Sequence, residues 1–223
     1  PETSTSNRCC IGGMIGNNSC GSHSVVYGTT REHLLEAEVL LADGSRATFK
    51  ELDEAEAMRL SRLDTLEGRI YRHILQFLQN PTTQQLIDGH FPDPRLKRRN
   101  TGYALDVLYF NWQATRTINL CNLLAGSEGT LAIVLSAKLR LVPQPLPCKA
   151  LICVHCCSLE ESFAANLIAL RYHPVAVELM DSTILELSKG NPTQQANRFF
   201  LVGEPAAILL VELVAGESEA LKV

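Results

Sequence analysis

Pro143, Pro145 and Pro147 recur at every second position and divide the chain. Proline lacks the N–H that the interior of a helix or strand needs, so no regular element runs through this stretch. It marks an expected boundary between residues 1–146 and 147–223. The two sides differ in texture. The first alternates glycine-rich stretches with apolar and amphipathic segments, whereas the second reads as a regular succession of short strands and helices.

The chain has 223 residues, of which 46% are hydrophobic and 20% charged. That is ample for a buried core and unlike a disordered chain. A balance of 20 basic against 24 acidic residues gives a net charge of -4, which argues against general nucleic-acid binding. The best apolar run, Ala206 to Ala215, is interrupted by Glu212 and falls short of the ~18 residues a membrane-spanning helix needs. The opening Pro1-Glu2-Thr3-Ser4 carries no start methionine and no signal peptide, so an excised piece is expected.

The eight cysteines stand at positions 9, 10, 20, 121, 148, 153, 156 and 157. Adjacent pairs are a poor disulfide framework. Cys153-x-x-Cys156 has half the spacing of a zinc or redox site, but no second half accompanies it. Its surroundings, Ala150 to Cys157, read as a buried strand in which cysteine acts as a small hydrophobe.

Before the boundary, residues 1–30 are expected to form loops. His33–Ala42 and Arg46–Lys50 read as a strand pair around Asp43-Gly44. From Glu51 to about Asn80, Met58, Leu63, Leu66, Ile70, Ile74, Phe77 and Leu78 recur at helical spacing, and Pro81 is expected to end that helix. Thr82 to Thr101, with its Lys97-Arg98-Arg99 run, reads as a solvated connection rather than an anion-binding patch. Thr117 to Ala125 leads into Gly126-Ser127-Glu128-Gly129, and Thr130 to Val142 reads as one or two strands. Beyond the boundary come a strand (149–157), a helix from near Ser158 with a Ser158/Glu161 capping box, a strand at Val175–Leu179, a helix at Ser182–Lys189 and a strand at Ala206–Ala215. That order indicates a small α+β unit, cut short before any closing element.

The densest local signal is Ile11-Gly-Gly-Met-Ile-Gly-Asn-Asn-Ser-Cys-Gly-Ser22. Glycine removes side chains, so backbone amides can approach a ligand, and successive turn amides suit a pyrophosphate. Asn17 and Asn18 add donors and acceptors able to read a flat heterocycle. A turn that only packs is the bland alternative. The pattern matches neither a P-loop nor a Gly-x-Gly-x-x-Gly fingerprint.

Ser4-Thr5-x-Asn7-x-Cys9-Cys10-Ile11-Gly12-Gly13-Met14-Ile15-Gly16-Asn17-Asn18-Ser19-Cys20-Gly21 resembles the second FAD-binding segment of the vanillyl-alcohol-oxidase/PCMH-type flavoproteins. Two further matches follow in family order. Tyr27-Gly28-x-Thr30 precedes a strand and the Ala42-Asp43-Gly44 turn, and Gly126-Ser127-Glu128-Gly129-Thr130-Leu131-Ala132-Ile133 comes later, with Ala132 where the family usually has glycine. The helical insertion and Asn100-Thr101-Gly102-Tyr103-x-Leu105-Asp106 resemble the D-lactate or glycolate dehydrogenase-like branch.

The resemblance implies an α+β fold. It comprises the second subdomain of a PCMH-type FAD-binding domain, with a helical insertion over about 51–115, and then the start of an α+β substrate-cap domain. It implies FAD contacts from Ser4, Thr5, Asn7, Gly12, Gly13, Met14, Asn17, Asn18, Gly21, Ser22, Glu128, Gly129 and the backbone of Ile133. Glu178 and Asp181 fall on a cap motif, where a structural role is equally expected. None of the six histidines stands in a His-Gly-x-Gly context, so no catalytic residue is assigned to this chain.

The implied parent oxidises a small 2-hydroxy acid to a 2-oxo acid and passes electrons to an iron–sulfur centre, a quinone or a cytochrome. No transmembrane segment is expected from this sequence, and the expected location is cytoplasmic, with a peripheral place at the inner membrane as the alternative. This piece alone is expected to be inactive and to bind FAD weakly. The alternatives are a sugar-acid oxidase or peptidoglycan-precursor reductase of the same flavin fold, and a cysteine-rich metal-binding module.

Overall fold

Asp43 and Gly44 form a turn that sets the first sheet. Asp43 Oδ1 accepts from the Ser45 hydroxyl at 2.6 Å and from its N–H at 3.0 Å, which holds the Asp43 carboxyl below its ordinary range. The Leu41 N–H closes the loop on the Ser45 carbonyl at 2.9 Å. The strands on either side, β1 (Leu34–Leu40) and β2 (Arg46–Asp53), pair antiparallel from Glu36↔Lys50 to Leu40↔Arg46.

The structure is a computed structural model and describes residues 3–96 and 102–221. These form two compact units, one ending at Val142 and the other starting at Pro143. In the first unit the sheet order is β3-β2-β1-β4, with β3 at Thr117–Asn119 and β4 at Ile133–Leu139. All three pairings are antiparallel. β2 leaves β1 after Lys50 and pairs with β3 from Glu51 to Asp53. The buried side of its alternation shifts there from Ala47 and Phe49 to Leu52.

Residues 1–30, expected as loops, contain two short helices among the described residues, α1 (Ile11–Asn17) and α2 (Ser24–Tyr27), and the start of a third, α3 (Thr30–His33). Glycine is a poor helix former, so composition alone hid α1. Tertiary bonds hold it instead, since its Ile15 and Gly16 carbonyls accept the N–H groups of Gly126 and Glu128 at 2.9 Å each.

The helix expected over 51–80 is also revised. Glu51 to Asp53 belong to β2, and the helical pattern then splits into α4 (Glu54–Ser61) and α5 (Leu66–Gln79). Two side-chain caps account for the split. Asp53 Oδ1 accepts the Glu56 N–H and starts α4, while Thr65 Oγ1 accepts the Gly68 N–H and starts α5. Gly68 permits the tight corner between them, because a Cβ there would lie 2.3 Å from the Leu63 carbonyl oxygen.

Pro81 does not end the helical region but opens α6 (Pro81–His90) behind an Asn80 cap. A first-turn N–H has no intrahelical acceptor, so proline loses nothing there. The expected solvated connection is therefore partly helix, with Ile87 buried. Lys97-Arg98-Arg99 lies outside the described residues. Helix α7 (Leu105–Thr115) precedes β3, and α8 (Cys121–Leu124) follows it. The core joins Ala37, Val39 and Phe49 of the sheet to Tyr71 and Leu75 of α5 and to Leu108 and Trp112 of α7.

In the second unit β5 (Cys148–Cys156) and β6 (Ala176–Asp181) flank a central β7 (Ala207–Ala215), all antiparallel. Helix α9 (Leu159–Ala169) follows β5, and α10 (Ser182–Lys189) and α11 (Pro192–Gln195) lie between β6 and β7. This is the strand–helix–strand–helix–strand order read from the sequence, with α11 added. Ser158 caps α9 as expected, but Glu161 returns its bond to the Cys157 N–H rather than to the cap residue's own amide. Across β7, Cys153 shares a sheet face with Leu210, and Cys156 shares the opposite face with Ala207. Two thiols on opposite faces of one strand cannot bind one ion. The described residues contain no group of three or more His, Cys, Asp or Glu placed to hold a metal.

Candidate functional site

The glycine-asparagine segment and the Gly126–Gly129 turn meet in the first unit. Helix α1 begins behind Cys10, which supplies no side-chain cap, and its first i→i−4 bond runs from the Met14 N–H to the Cys10 carbonyl at 3.0 Å. The amides of Ile11, Gly12 and Gly13 therefore precede the helical ladder, and all three residues are exposed. Glycine in a helix costs about 1 kcal/mol relative to alanine. Nothing in the fold requires it at Gly12 or Gly13, since a Cβ built at either would meet no atom within 4 Å. The same test at Gly16 gives only an ordinary contact, 3.8 Å from the Glu128 Cα.

The facing turn is built differently. Gly126, Glu128 and Gly129 all have positive φ, at 89°, 51° and 75°. A Cβ on Gly126 would lie 2.8 Å from Arg31 Nη2 and 3.3 Å from Asn18 Cβ, so glycine is obligatory there for both conformation and space. The turn is stitched to α1 by the backbone bonds at Ile15 and Gly16 and by Asn17 Nδ2, which donates to Glu128 Oε1 at 2.9 Å. Thr130 caps it by donating to the Ser127 carbonyl, and Tyr103 Oη lies 2.7 Å from the Thr130 hydroxyl.

Between these pieces opens a cavity of about 280 Å³. It is lined by Gly12, Ile15, Gly16, Leu124, Ser127, Gly129, Ala132, Ile133 and Val134. Gly12, Gly129 and Ile133 are thus site residues named from sequence that meet at one opening. Asn17 and Glu128 join them through their shared bond.

The remaining named residues take other places. Ser4 and Asn7 are exposed on a turn whose Arg8 and Cys9 amides both bond the Thr5 carbonyl, at 2.9 and 3.0 Å. Thr5 is half-buried with its hydroxyl 3.5 Å from that of Thr3. Met14 turns its side chain into the interior. Asn18 is fully buried in the left-handed position that ends α1, and its Oδ1 accepts the Arg31 N–H at 2.8 Å. Its amide therefore braces the cradle wall instead of facing the opening. Gly21 donates to Ser24 Oγ, and the Ser22 hydroxyl reaches His23 Nδ1.

Gly16, Gly126, Ser127 and Ala132 were not named as site residues. Their positions inside the two glycine motifs were the available signal. In the second unit Asp181 caps α10 through the Ile184 N–H at 3.0 Å, and Glu178 is exposed on β6. Asp181 thus has the structural role that was expected equally with a direct one.

Near the cradle, burial pushes the Cys121 thiol up to about 12, with the Glu36 carboxylate adding to the rise. Its Sγ donates to the Phe49 carbonyl at 3.2 Å. It is a core group and not a nucleophile. His33 is also structural, with Nδ1 3.1 Å from the Arg140 carbonyl and Nε2 2.5 Å from that of Tyr27. No helix among the described residues is long and apolar enough to cross a membrane.

Comparison with known proteins bears on the same segment. The family described as FAD binding domain matches residues 1–50. D-2-hydroxyglutarate dehydrogenase of Escherichia coli (strain K12) is 32% identical over 224 residues, which cover 99% of this chain and 21% of that protein. The enzyme of the same name from Pantoea ananatis is 32% identical over 189 residues, covering 85% of this chain and 18% of that protein. D-lactate dehydrogenase of Archaeoglobus fulgidus is 23% identical, covering 80% of this chain and 27% of that protein. Among solved structures, an alkyldihydroxyacetonephosphate synthase superposes with a TM-score of 0.46 at 14% identity, covering 91% of this chain and 28% of that one. The chain spans about a fifth of the length of the D-2-hydroxyglutarate dehydrogenases it matches. Its first 50 residues are thus similar to an FAD binding domain, and most of its length is similar to part of the D-2-hydroxyglutarate dehydrogenases.

Proposed function

We propose that this chain forms one wall of an FAD site in an enzyme that oxidises a D-2-hydroxy acid to the 2-oxo acid. One observation carries the cofactor half of this reading. Gly12 and Gly13 bear the cost of glycine in a helix while their own fold leaves room for a side chain. A ligand approaching α1 would use that space, and the exposed amides beside it suit a diphosphate.

The residues fit FAD in three respects. Gly12 and Gly16 let a ligand approach the α1 backbone, Gly129 does the same across the opening, and Ile133 supplies an apolar wall. Asn17 and Glu128 hold each other, so the rim is ordered before the cofactor arrives. At about 280 Å³ the cavity lies just below the ~300–1,000 Å³ of typical ligand sites. It holds part of a dinucleotide, so this chain alone is expected to bind FAD weakly and to be inactive.

When bound, FAD supplies the redox chemistry, accepting a hydride from the substrate α-carbon. This chain's residues bind and orient it. Gly12, Gly129 and Ile133 line the cleft, Glu128 and Asn17 fix its rim, and Ser4, Thr5, Asn7, Gly13, Gly21 and Ser22 are proposed to extend the contact beyond it. Met14 and Asn18 act from behind the wall.

The relatives are named for D-2-hydroxyglutarate and D-lactate. Their shared chemistry, a secondary alcohol beside a carboxylate, is the substrate class proposed here, with electrons passing to an iron–sulfur, quinone or cytochrome acceptor. Assay of the full-length protein tests this reading. Bound flavin should be bleached anaerobically by D-2-hydroxyglutarate or D-lactate and restored by an artificial electron acceptor. A stable flavin spectrum with every D-2-hydroxy acid would contradict it.

A further inference from the structure

We infer that Arg31 is a positioning residue for the cofactor site, holding α1 and the Gly126–Gly129 turn in register. The inference rests on the FAD reading above and extends it to a residue outside the glycine motifs. Arg31 is only 8% exposed. Its guanidinium donates through Nε to the Asn122 carbonyl at 2.9 Å and through Nη2 to the Ala125 carbonyl at 2.7 Å. Both carbonyls belong to the end of α8 (Cys121–Leu124), where the helix itself offers no donor.

The same residue reaches the other segment. Its backbone N–H donates to Asn18 Oδ1 at 2.8 Å, and Asn18 holds the left-handed position that ends α1. One arginine therefore grips the end of each piece that frames the cavity. The packing leaves little slack, because a Cβ added at Gly126 would lie 2.8 Å from Arg31 Nη2 and 3.3 Å from Asn18 Cβ. Arg31 is not among the residues lining the opening, so it acts through Ala125–Gly126 and not by touching the ligand. A planar fork presents donors to two carbonyls in a fixed geometry, which the compact ammonium of a lysine does not reproduce.

The test uses the full-length protein, with FAD affinity measured by flavin fluorescence and bound-flavin geometry by visible circular dichroism. Charged hydrogen bonds of this kind imply that Arg31→Met weakens FAD binding by about tenfold to a hundredfold. Arg31→Lys should fall between, with an altered visible dichroism, and added guanidinium ion should restore Arg31→Met where sodium ion does not. If the wild-type protein binds no FAD, the cofactor reading fails. If wild type binds it and Arg31→Lys matches wild type in affinity and dichroism, the positioning role is overturned. That second comparison stands even if Arg31→Met fails to fold.

Discussion

The Asn17 side-chain amide donates to the Glu128 carboxylate at 2.9 Å across a separation of 111 residues. Ser19 Oγ donates to the other end of the same amide at 3.1 Å, which fixes its orientation. The bond is exposed, so its net contribution to stability is small, about 0.5–1.5 kcal/mol. A double-mutant cycle with Asn17→Ala and Glu128→Ala should return a coupling in that range by chemical denaturation. FAD affinity should fall more than this coupling accounts for, because the rim loses its order.

Gly13→Ala separates stability from binding. The site has room for a methyl group, so the helix should gain about 0.5–1 kcal/mol in the flavin-free protein. FAD should bind more weakly. Thermal unfolding without flavin and a flavin titration read the two effects, and their opposite signs are the expected result.

Gly126→Ala and Gly68→Ala both force a Cβ into occupied space, near Arg31 Nη2 in one case and the Leu63 carbonyl in the other. Each should destabilise the protein by about 1–3 kcal/mol in urea. Only Gly126 opens the turn whose Ser127 and Gly129 line the cavity. Flavin affinity measured on the folded fraction should drop for Gly126→Ala and stay near wild type for Gly68→Ala.

Cys121 predicts an alkaline loss of stability. Burial raises its folded-state value from 9.0 to about 12. The folded state therefore binds this proton more tightly than the unfolded chain, and the contribution is complete below about pH 9 and lost as pH rises toward 12. Cys121→Ala should flatten that part of the stability–pH curve. Iodoacetamide at pH 8 should label the exposed Cys10 and Cys157 in the native protein and leave Cys121 unmodified.

Much of this was legible in the sequence, for identifiable reasons. The Asp43-Gly44 turn and the Ser182–Lys189 helix are local: one is set by a side chain bonding two residues on, the other by Asp181 capping through Ile184. The two glycine motifs announced a close approach of backbone, and Gly12 and Gly129 do line one cavity.

What escaped depended on distant partners. Helix α1 forms despite its glycines because Gly126 and Glu128 bond its carbonyls, over a hundred residues away. In sequence Asn18 reads as a ligand-facing amide, but in the fold its Oδ1 is taken by the Arg31 N–H. Pro81 was ambiguous by nature, since proline follows helices and also starts them, and only the Asn80 cap decides between the two.

Titration of FAD into the full-length wild-type protein and its Gly12→Leu variant, followed by flavin absorbance, decides whether α1 lies against the cofactor. One FAD should bind per wild-type chain and none to the variant, whose far-UV circular dichroism should stay native. A natively folded Gly12→Leu protein that takes up FAD as tightly as wild type would contradict it.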